Sequence, residues 1–553
     1  MSDKRRARNG FIVQAGILAF AGIVSRIIGL LYRGPLHSVI GDLGLGYYQT
    51  AHAYYTIILM ISSYSIPSAI SKVIAQKLGL REYRNAHRVF KGALVYVTAV
   101  GLVASGALVV LGFILKPEAA QVLRAFAPTI FLYGILGVFR GYFQGHGSMV
   151  QTSVSQILEQ LANALVSIGA ACVLIQSAMG TMEVPVDEAG QVLRATSGAV
   201  GSALGAGAGV LVALLFMVGM YAFNKKTIQK RIRSDRHVGT DSYQSILRMI
   251  VLVVTPFILS TAIYNLSGTV NNVVYTELFP GVKKLENTVE IFSDWGVYSG
   301  QALTIAGIPA AFAAALASAI LPSLAQLAAA QNMDGVRAKI GLAVKVSMII
   351  LIPCAVGLFA LARPVTGLLF HNVQEAEDLA TKLLMALSLS VVFYALASLN
   401  SSVLQGLGKV NQPIINAGIA LVVQTVVAIV LLLATKLDLY SIAVAETLYA
   451  GLMCVLNQRA VCKAAGYRQE IKNTFVVPSI AAVCMGGVAW AGYESLLMMT
   501  ESPRISVVIS IPVSACVYFC LLLLFRGIRQ EELEALPKGY LLVRLAKKCR
   551  LMK

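Results

Sequence analysis

Apolar runs of about twenty residues or more recur along this chain from one end to the other. That is the length an α-helix needs to cross the roughly 30 Å hydrocarbon core of a bilayer. A segment in lipid must satisfy its own backbone hydrogen bonds, so each run is expected to be a helix. The runs place spans at 10–32, 47–70, 89–115, 122–143, 150–176, 195–223, 246–275, 300–329, 341–369, 381–407, 413–434, 440–462, 474–499 and 504–526. The fold class expected is therefore an all-α integral membrane protein with about 14 transmembrane helices. Charge content agrees: only 13% of the 553 residues are charged, about half the share in a soluble chain. The N-terminal segment MSDKRRARNG and the apolar run after it resemble a signal peptide. The run is long and further spans follow at once, so a retained first helix is the better reading.

The net charge of +19 first suggests nucleic acid. The distribution argues against it. With the N-terminus inside, most of the 45 Lys and Arg fall in cytoplasmic segments and the helix ends beside them. Carboxylates favour the other side. This is the positive-inside pattern, and it puts both termini in the cytoplasm of a cell with the chain multi-pass in its plasma membrane. The most basic loop, Asn224–Gln244, reads as a topology-fixing linker in preference to a lipid or partner contact.

The two halves repeat. Ile66-Pro-Ser-Ala-Ile-Ser-Lys-Val-Ile-Ala-Gln76 resembles Leu321-Pro-Ser-Leu-Ala-Gln-Leu-Ala-Ala-Ala-Gln331. Phe143-Gln-Gly-His-Gly-Ser-Met-Val-Gln151 resembles Leu404-Gln-Gly-Leu-Gly-Lys-Val-Asn-Gln412. Each pair is six spans apart, an even number, so the copies share an orientation. Two parallel six-helix lobes are expected, with a substrate path between them. The boundaries read as an N-lobe at 1–223, a basic linker at 224–245, a C-lobe at 246–462, two extra helices at 474–527 and a cytoplasmic tail at 528–553.

Ionisable groups within spans are costly and are site candidates by default. Arg26 and Arg33 lie seven residues apart, on nearly one helix face, and a guanidinium suits phosphate. Thr152, Gln156, Glu159 and Asn163 form one polar stripe on an apolar helix. Glu159 could pair with Arg26, bind a cation or carry a proton. The competing reading of the stripe is a hydrogen-bonded helix contact. Glu446 reads as interfacial. Lys72, Lys345 and Arg140 read as charges near cytoplasmic helix ends, and His52 as a packed polar residue. The corresponding part of the second lobe is uncharged, with Asn265, Asn271, Asn272, Gln301 and Thr304. The prolines in or beside spans permit bending without diagnosing it. Of the eight cysteines none forms a CxxC pair. Cys516 and Cys520 lack a nearby His or carboxylate, and the cysteines read as packing residues. With no Walker loop, metal-ligand spacing or nucleophile–base set, an enzyme is not expected.

Arg140-Gly-Tyr-Phe-Gln-Gly145, Ser155-Gln-Ile-Leu-Glu-Gln160, Ile66-Pro-Ser-Ala-Ile-Ser-Lys72, Val403-Leu-Gln-Gly-Leu-Gly-Lys409 and the tail Gly527-Ile-Arg-Gln-Glu-Glu-Leu-Glu-Ala-Leu-Pro537 resemble the stage V sporulation protein B group of polysaccharide exporters. That group lies in the multidrug/oligosaccharidyl-lipid/polysaccharide superfamily and is related to MurJ-type lipid II flippases. The resemblance implies two six-helix lobes around a cavity that is cationic in MurJ-type flippases. It also implies two added helices that provide a groove for a polyprenyl tail. The Ser-Arg-x-x-Gly pattern of the first helix is kept at Ser25, Arg26 and Gly29. Lys72 lies near where those flippases carry Arg. Two departures stand out. The early Asp of the second helix has no clear match, and the eighth-helix cavity Arg is replaced by uncharged residues around Gln301 and Thr304.

The resulting expectation is a flippase moving an undecaprenyl-pyrophosphate-linked cell-wall precursor, lipid II or a related glycan, by alternating access. Its cavity would be built from Arg26, Arg33, Lys72, Gln156, Glu159, Asn163, Asn265 and Gln301. The partners are a lipid-linked oligosaccharide and membrane lipids, without nucleic acid, and a monomer suffices. No cofactor is expected beyond a coupling cation, H+ or Na+. The alternatives are a cation-coupled multidrug exporter, which Arg26 disfavours, and a non-transporting scaffold for wall or spore-coat assembly.

Overall fold

The structure, a computed structural model, describes residues 17–528 except 19, 116, 186, 236–238, 240, 286, 371–373 and 526; the side chains of 253–264, 311, 314–315, 318–319 and 322 are also left undescribed. The tail at 529–553, Cys549 and the start of the first span lie outside the described residues. Contacts divide the chain into two units, Met1–Gly296 and Val297–Lys553.

The first unit contains α1 (Phe20–Leu31), α2 (Arg33–Leu59), α3 (Ile66–Gly79), α4 (Tyr83–Leu111), α5 (Pro117–Gly145), α6 (Val150–Met179), α7 (Glu188–Arg233), α8 (Tyr243–Val273), α9 (Phe279–Lys283) and α10 (Thr288–Trp295). The second contains α11 (Leu303–Ala329), α12 (Met333–Ala360), α13 (Ala362–Leu369), α14 (Gln374–Gly406), α15 (Asn411–Ala434), α16 (Leu439–Ala465), α17 (Val477–Thr500) and α18 (Pro503–Leu524). Among the described residues, 11 helices are long and apolar enough to cross a membrane. The three other predicted spans fall on α1, α8 and α11 and are helical wherever described.

Three sequence boundaries need correction. The segment 33–46, read as an outer loop, is helical. Its direction changes at Gly41 (φ 71°, ψ −179°), a conformation open to glycine because it has no Cβ. The loop Thr276–Ser299 is also folded: Phe292 and Trp295 of α10 are buried, and Phe292 lies 5.0 Å from the Tyr47 ring of α2. Third, α7 continues past its apolar stretch to Arg233. At 46 residues it is about 69 Å long, over twice the hydrocarbon thickness.

π-Helical turns occur at Met60–Tyr64, Val274–Leu278 and Lys472–Val476, before Pro67, Pro280 and Pro478. Proline lacks an N–H and clashes with the carbonyl four residues back. That residue is Ser63, Thr276 or Thr474, inside the π turn in each case. The ring's demand is thus absorbed by local widening of the helix.

The repeat is visible inside each unit. In the first, Gly141 and Gly145 of α5 pack on Pro67, Ile70 and Ile74 of α3. In the second, Gly406 of α14 packs on Leu321 and Leu324 of α11. The turns match bond for bond. Gly147 (φ 79°) and Gly408 (φ 77°) follow the helix ends. Ser148 N donates to Phe143 O at 3.1 Å, and Lys409 N donates to Leu404 O at 2.8 Å. This is the left-handed glycine stop of a helix. Arg81 (φ 60°) and Gln331 (φ 56°) mark equivalent turns after α3 and α11, which pairs Ser71 and Ile74 with Leu321 and Leu324 and shifts by five residues the alignment of Ile66–Gln76 with Leu321–Gln331 read from sequence.

Candidate functional site

The first unit is tightly built where α6 meets α7. Gly201, Gly205 and Gly209 are spaced four apart on one face of α7. A Cβ on them would come within 2.4 Å of Ala171 N, 2.2 Å of Ser167 Oγ and 2.5 Å of Glu159 O. Small residues at this spacing let helix backbones approach, the main route to helix association where lipid removes the hydrophobic drive. The close approach fixes the height of the polar stripe on α6.

That stripe faces protein. Thr152 is buried and accepts from Gln144 at 3.4 Å. Asn163 accepts from Ser167 at 2.8 Å. Glu159 is held by Arg140, whose Nη2 lies 2.7 Å from its Oε2, while Arg140 Nε donates to Ser155 at 2.9 Å. The partner of Glu159 is therefore Arg140 and not Arg26. Arg140, near the end of α5 as expected, is itself buried. The pair neutralises both charges and joins α5 to α6. Gln156 is half-buried, and its Oε1 has no partner among the described residues.

Arg26 stands apart from this pair. Its side chain is exposed and forms no ion pair among the described residues. On its helix the exposed large apolar residues Phe20, Ile23, Ile27 and Leu31 share one stripe, and Arg26 projects about 100° away from the centre of that stripe at 100° per residue. Gly29, one turn on, brings α1 next to α6: its Cβ would lie 3.4 Å from Gln160 Oε1. Ser25 Oγ is buried without a partner among the described residues. Arg33 is half-buried, and its charge acts on Tyr48 and His52. Lys72 on α3 is exposed and, among the described residues, has no carboxylate partner. Asn265 of α8 is exposed. His52 packs among Tyr48, Tyr55 and Phe126.

In the second unit Gln301 is fully buried in the Gly296–Ala302 π turn. Glu446 is only 5% exposed. It accepts from the hydroxyl of Tyr394 on α14 and from Gln424 Nε2 on α15 at 3.2 Å. A polar chain of Asn416, Asn457 and Ser401 continues along the same helices, with Asn416 Nδ2 donating to Asn457 Oδ1 at 2.8 Å. Lys345 of α12 is buried as well. Neither burial was apparent from sequence, because each residue lies within a few turns of a span end. Among the described residues no group of three or more His, Cys, Asp or Glu is placed to hold a metal ion.

The family model described as Lipid II flippase MurJ matches residues 83–512, well over half the chain. The chain belongs to the MurJ family. Among relatives of this MurJ-family chain, Stage V sporulation protein B of Bacillus subtilis (strain 168) is 25% identical over 553 residues, covering 97% of this chain and 100% of the relative. Lipid II flippase MurJ of the same organism is 21% identical over 488 residues, covering 84% and 86%. The solved structure of lipid II flippase MurJ in its inward closed conformation superposes with a TM-score of 0.57 at 14% identity, covering 92% of this chain and 98% of that one. The family membership and the MurJ-like helical membrane fold stand as expected. The chain is a multi-pass membrane protein of a flippase family, which is a transporter class and not an enzyme class.

Proposed function

We propose that this MurJ-family chain flips an undecaprenyl-pyrophosphate-linked cell-wall precursor, lipid II or a related glycan, from the inner to the outer leaflet by alternating access. The observation that carries the reading is the sorting of charge in the first unit. Arg140 is spent on Glu159, while Arg26 and Lys72 carry no carboxylate partner among the described residues. Unpaired cations on membrane helices are costly unless something anionic or wet meets them. A pyrophosphate meets that need, and the guanidinium fork of Arg26 suits its oxygens.

Arg26, Lys72 and Arg33 bind and orient the pyrophosphate, with Gln156 and Asn163 supplying neutral contacts from α6. Asn265, exposed on α8, is proposed as an uncharged contact for the sugar, and Gln301, fully buried, is left out of the binding set. Both termini lie in the cytoplasm, as the basic segments require. An inside-negative potential then assists the transfer, by about 2.3 kcal/mol per negative charge per 100 mV. Glu159 is engaged by Arg140, and this scheme needs no coupling H+ or Na+.

The test is transport by the purified protein reconstituted in vesicles. Fluorescent lipid II should cross at a protein-dependent rate, and a cationic dye should not. Dye transport without lipid II transport would refute the proposal in favour of a drug exporter.

A further inference from the structure

The basic end of the first unit contains a cavity that the flipping scheme does not use. Its volume is about 180 Å³. At about 30 Å³ per water in the liquid, that is room for about six waters. It fits a phosphate group and is far too small for a glycopeptide head. The cavity forms where the α3–α4 turn and the α5–α6 turn meet the part of α7 that extends past its apolar stretch. Arg231, His87, His146, Thr227, Gln151 and Asn224 line it, and no carboxylate does so among the described residues. Acidic groups of the same region are already engaged: Lys77 Nζ lies 2.9 Å from Glu82 and 2.6 Å from Asp241, and Asp235 accepts from Arg84 N at 2.6 Å.

The lining is short of an anion. His87 Nδ1 is buried and has no hydrogen-bond partner among the described residues. The charges acting on His87 come from Lys91 and His146, and the one acting on His146 comes from Arg231. All are basic. His146 Nδ1 lies 2.9 Å from the carbonyl oxygen of Tyr142, so that nitrogen carries the proton, and Nε2 becomes a donor to phosphate when the ring is protonated, a charge state that a bound anion favours. Burial, together with Arg231, holds the His146 imidazole below its ordinary value despite that backbone bond. One hydrogen of the Asn224 amide is committed to Met220 O at 2.8 Å, and the second remains. Gln151 accepts from Ser148, which leaves its amide hydrogens to donate.

We propose that this cavity binds a phosphate group, with Arg231, His87 and His146 as its basic contacts and Thr227, Gln151 and Asn224 as neutral donors. Two sources share that chemistry: an anionic lipid headgroup of the adjoining leaflet, which a basic helix extension at the membrane surface would attract, and a soluble phosphate. The site is separate from the residues proposed for transport, so it stands or falls independently of the flipping reading.

Native mass spectrometry of the full chain in detergent tests it, with dioctanoyl phosphatidylglycerol, inorganic phosphate and zwitterionic dioctanoyl phosphatidylcholine as probes. Saturable binding of the phosphatidylglycerol is expected, with phosphatidylcholine at least tenfold weaker. Arg231→Gln and His87→Gln should each weaken it about tenfold or more, the worth of one charged hydrogen bond. Lys225→Gln, an exposed lysine on the same helix outside the cavity, should leave it unchanged. Arg231 is exposed, so its replacement disturbs no packing. Phosphatidylglycerol binding alone assigns the site to a lipid; binding of inorganic phosphate as well assigns it to soluble phosphate too. Absence of saturable binding by either anionic probe overturns the proposal. So does an equal loss in Lys225→Gln, which would mean diffuse surface charge.

Discussion

Arg140 and Glu159 show how a pair of charges can be carried within a membrane bundle at acceptable cost. Each is mostly buried, and each supplies what the other lacks at 2.7 Å. Breaking such a pair by removing one member leaves a charge in low dielectric, a loss of about 3–5 kcal/mol. Arg140→Gln is expected to lower stability by about 3 kcal/mol, the lower end because Glu159 keeps some access to solvent. Adding Glu159→Gln should restore much of the loss, read as a coupling energy from denaturant unfolding in detergent. A loss below about 1 kcal/mol in the single variant would show the pair to be dispensable. The pair was within reach of the sequence. A span glutamate demands a partner, and Arg140 stands across a short turn on the preceding helix. Five residues before the end of α5 and nine into α6 put the two about 7 and 13 Å deep, a gap that an arginine side chain spans. Proximity to a span end hid Arg140, just as it hid the burial of Glu446 and Lys345. Arg26 was legible because, Ser25 apart, apolar residues and glycine surround it in the sequence.

At the scale of elements, the contact of α6 with α7 rests on absent side chains. Gly205→Val would place its first carbon about where Ser167 Oγ and Cα already sit, at 2.2 and 2.4 Å. The helices would have to separate, and a stability loss of about 3 kcal/mol is expected from such overpacking. Gly219→Ala on the same helix, where a Cβ meets nothing within 4 Å, should be neutral or slightly stabilising. Equal melting temperatures for the two variants would contradict the role given to the glycine row. Helix existence was readable from apolar length alone. The π turns were not, since a proline four residues on accompanies three of them and none follows Gly296–Ala302 at that spacing. The bend at Gly41 and the folded Thr276–Ser299 segment escaped for a related reason: short stretches between apolar runs read as loops, and tertiary packing, α2 on α7 and α10 on α2, is what holds them as helix.

For the molecule as a whole, repetition was the strongest sequence signal, and the turns after α3 and α5 in the first unit match those after α11 and α14 in the second in their hydrogen bonds. Two short motif pairs sufficed to predict it because turn glycines and helix-contact glycines tolerate little substitution. What the repeat does not supply is the charge asymmetry, which depends on single residues such as Arg26 and Lys72 in the first half. The central claim is that Arg26 carries the anionic head. It is tested most directly by the rate at which vesicles containing wild type, Arg26→Lys and Arg26→Ala, each confirmed folded, translocate lipid II. Loss of a charged contact worth about 1.5–3 kcal/mol predicts a fall of about tenfold or more for Arg26→Ala. Arg26→Lys, which keeps the charge without the fork, should fall between. Wild-type rates in Arg26→Ala would contradict the account.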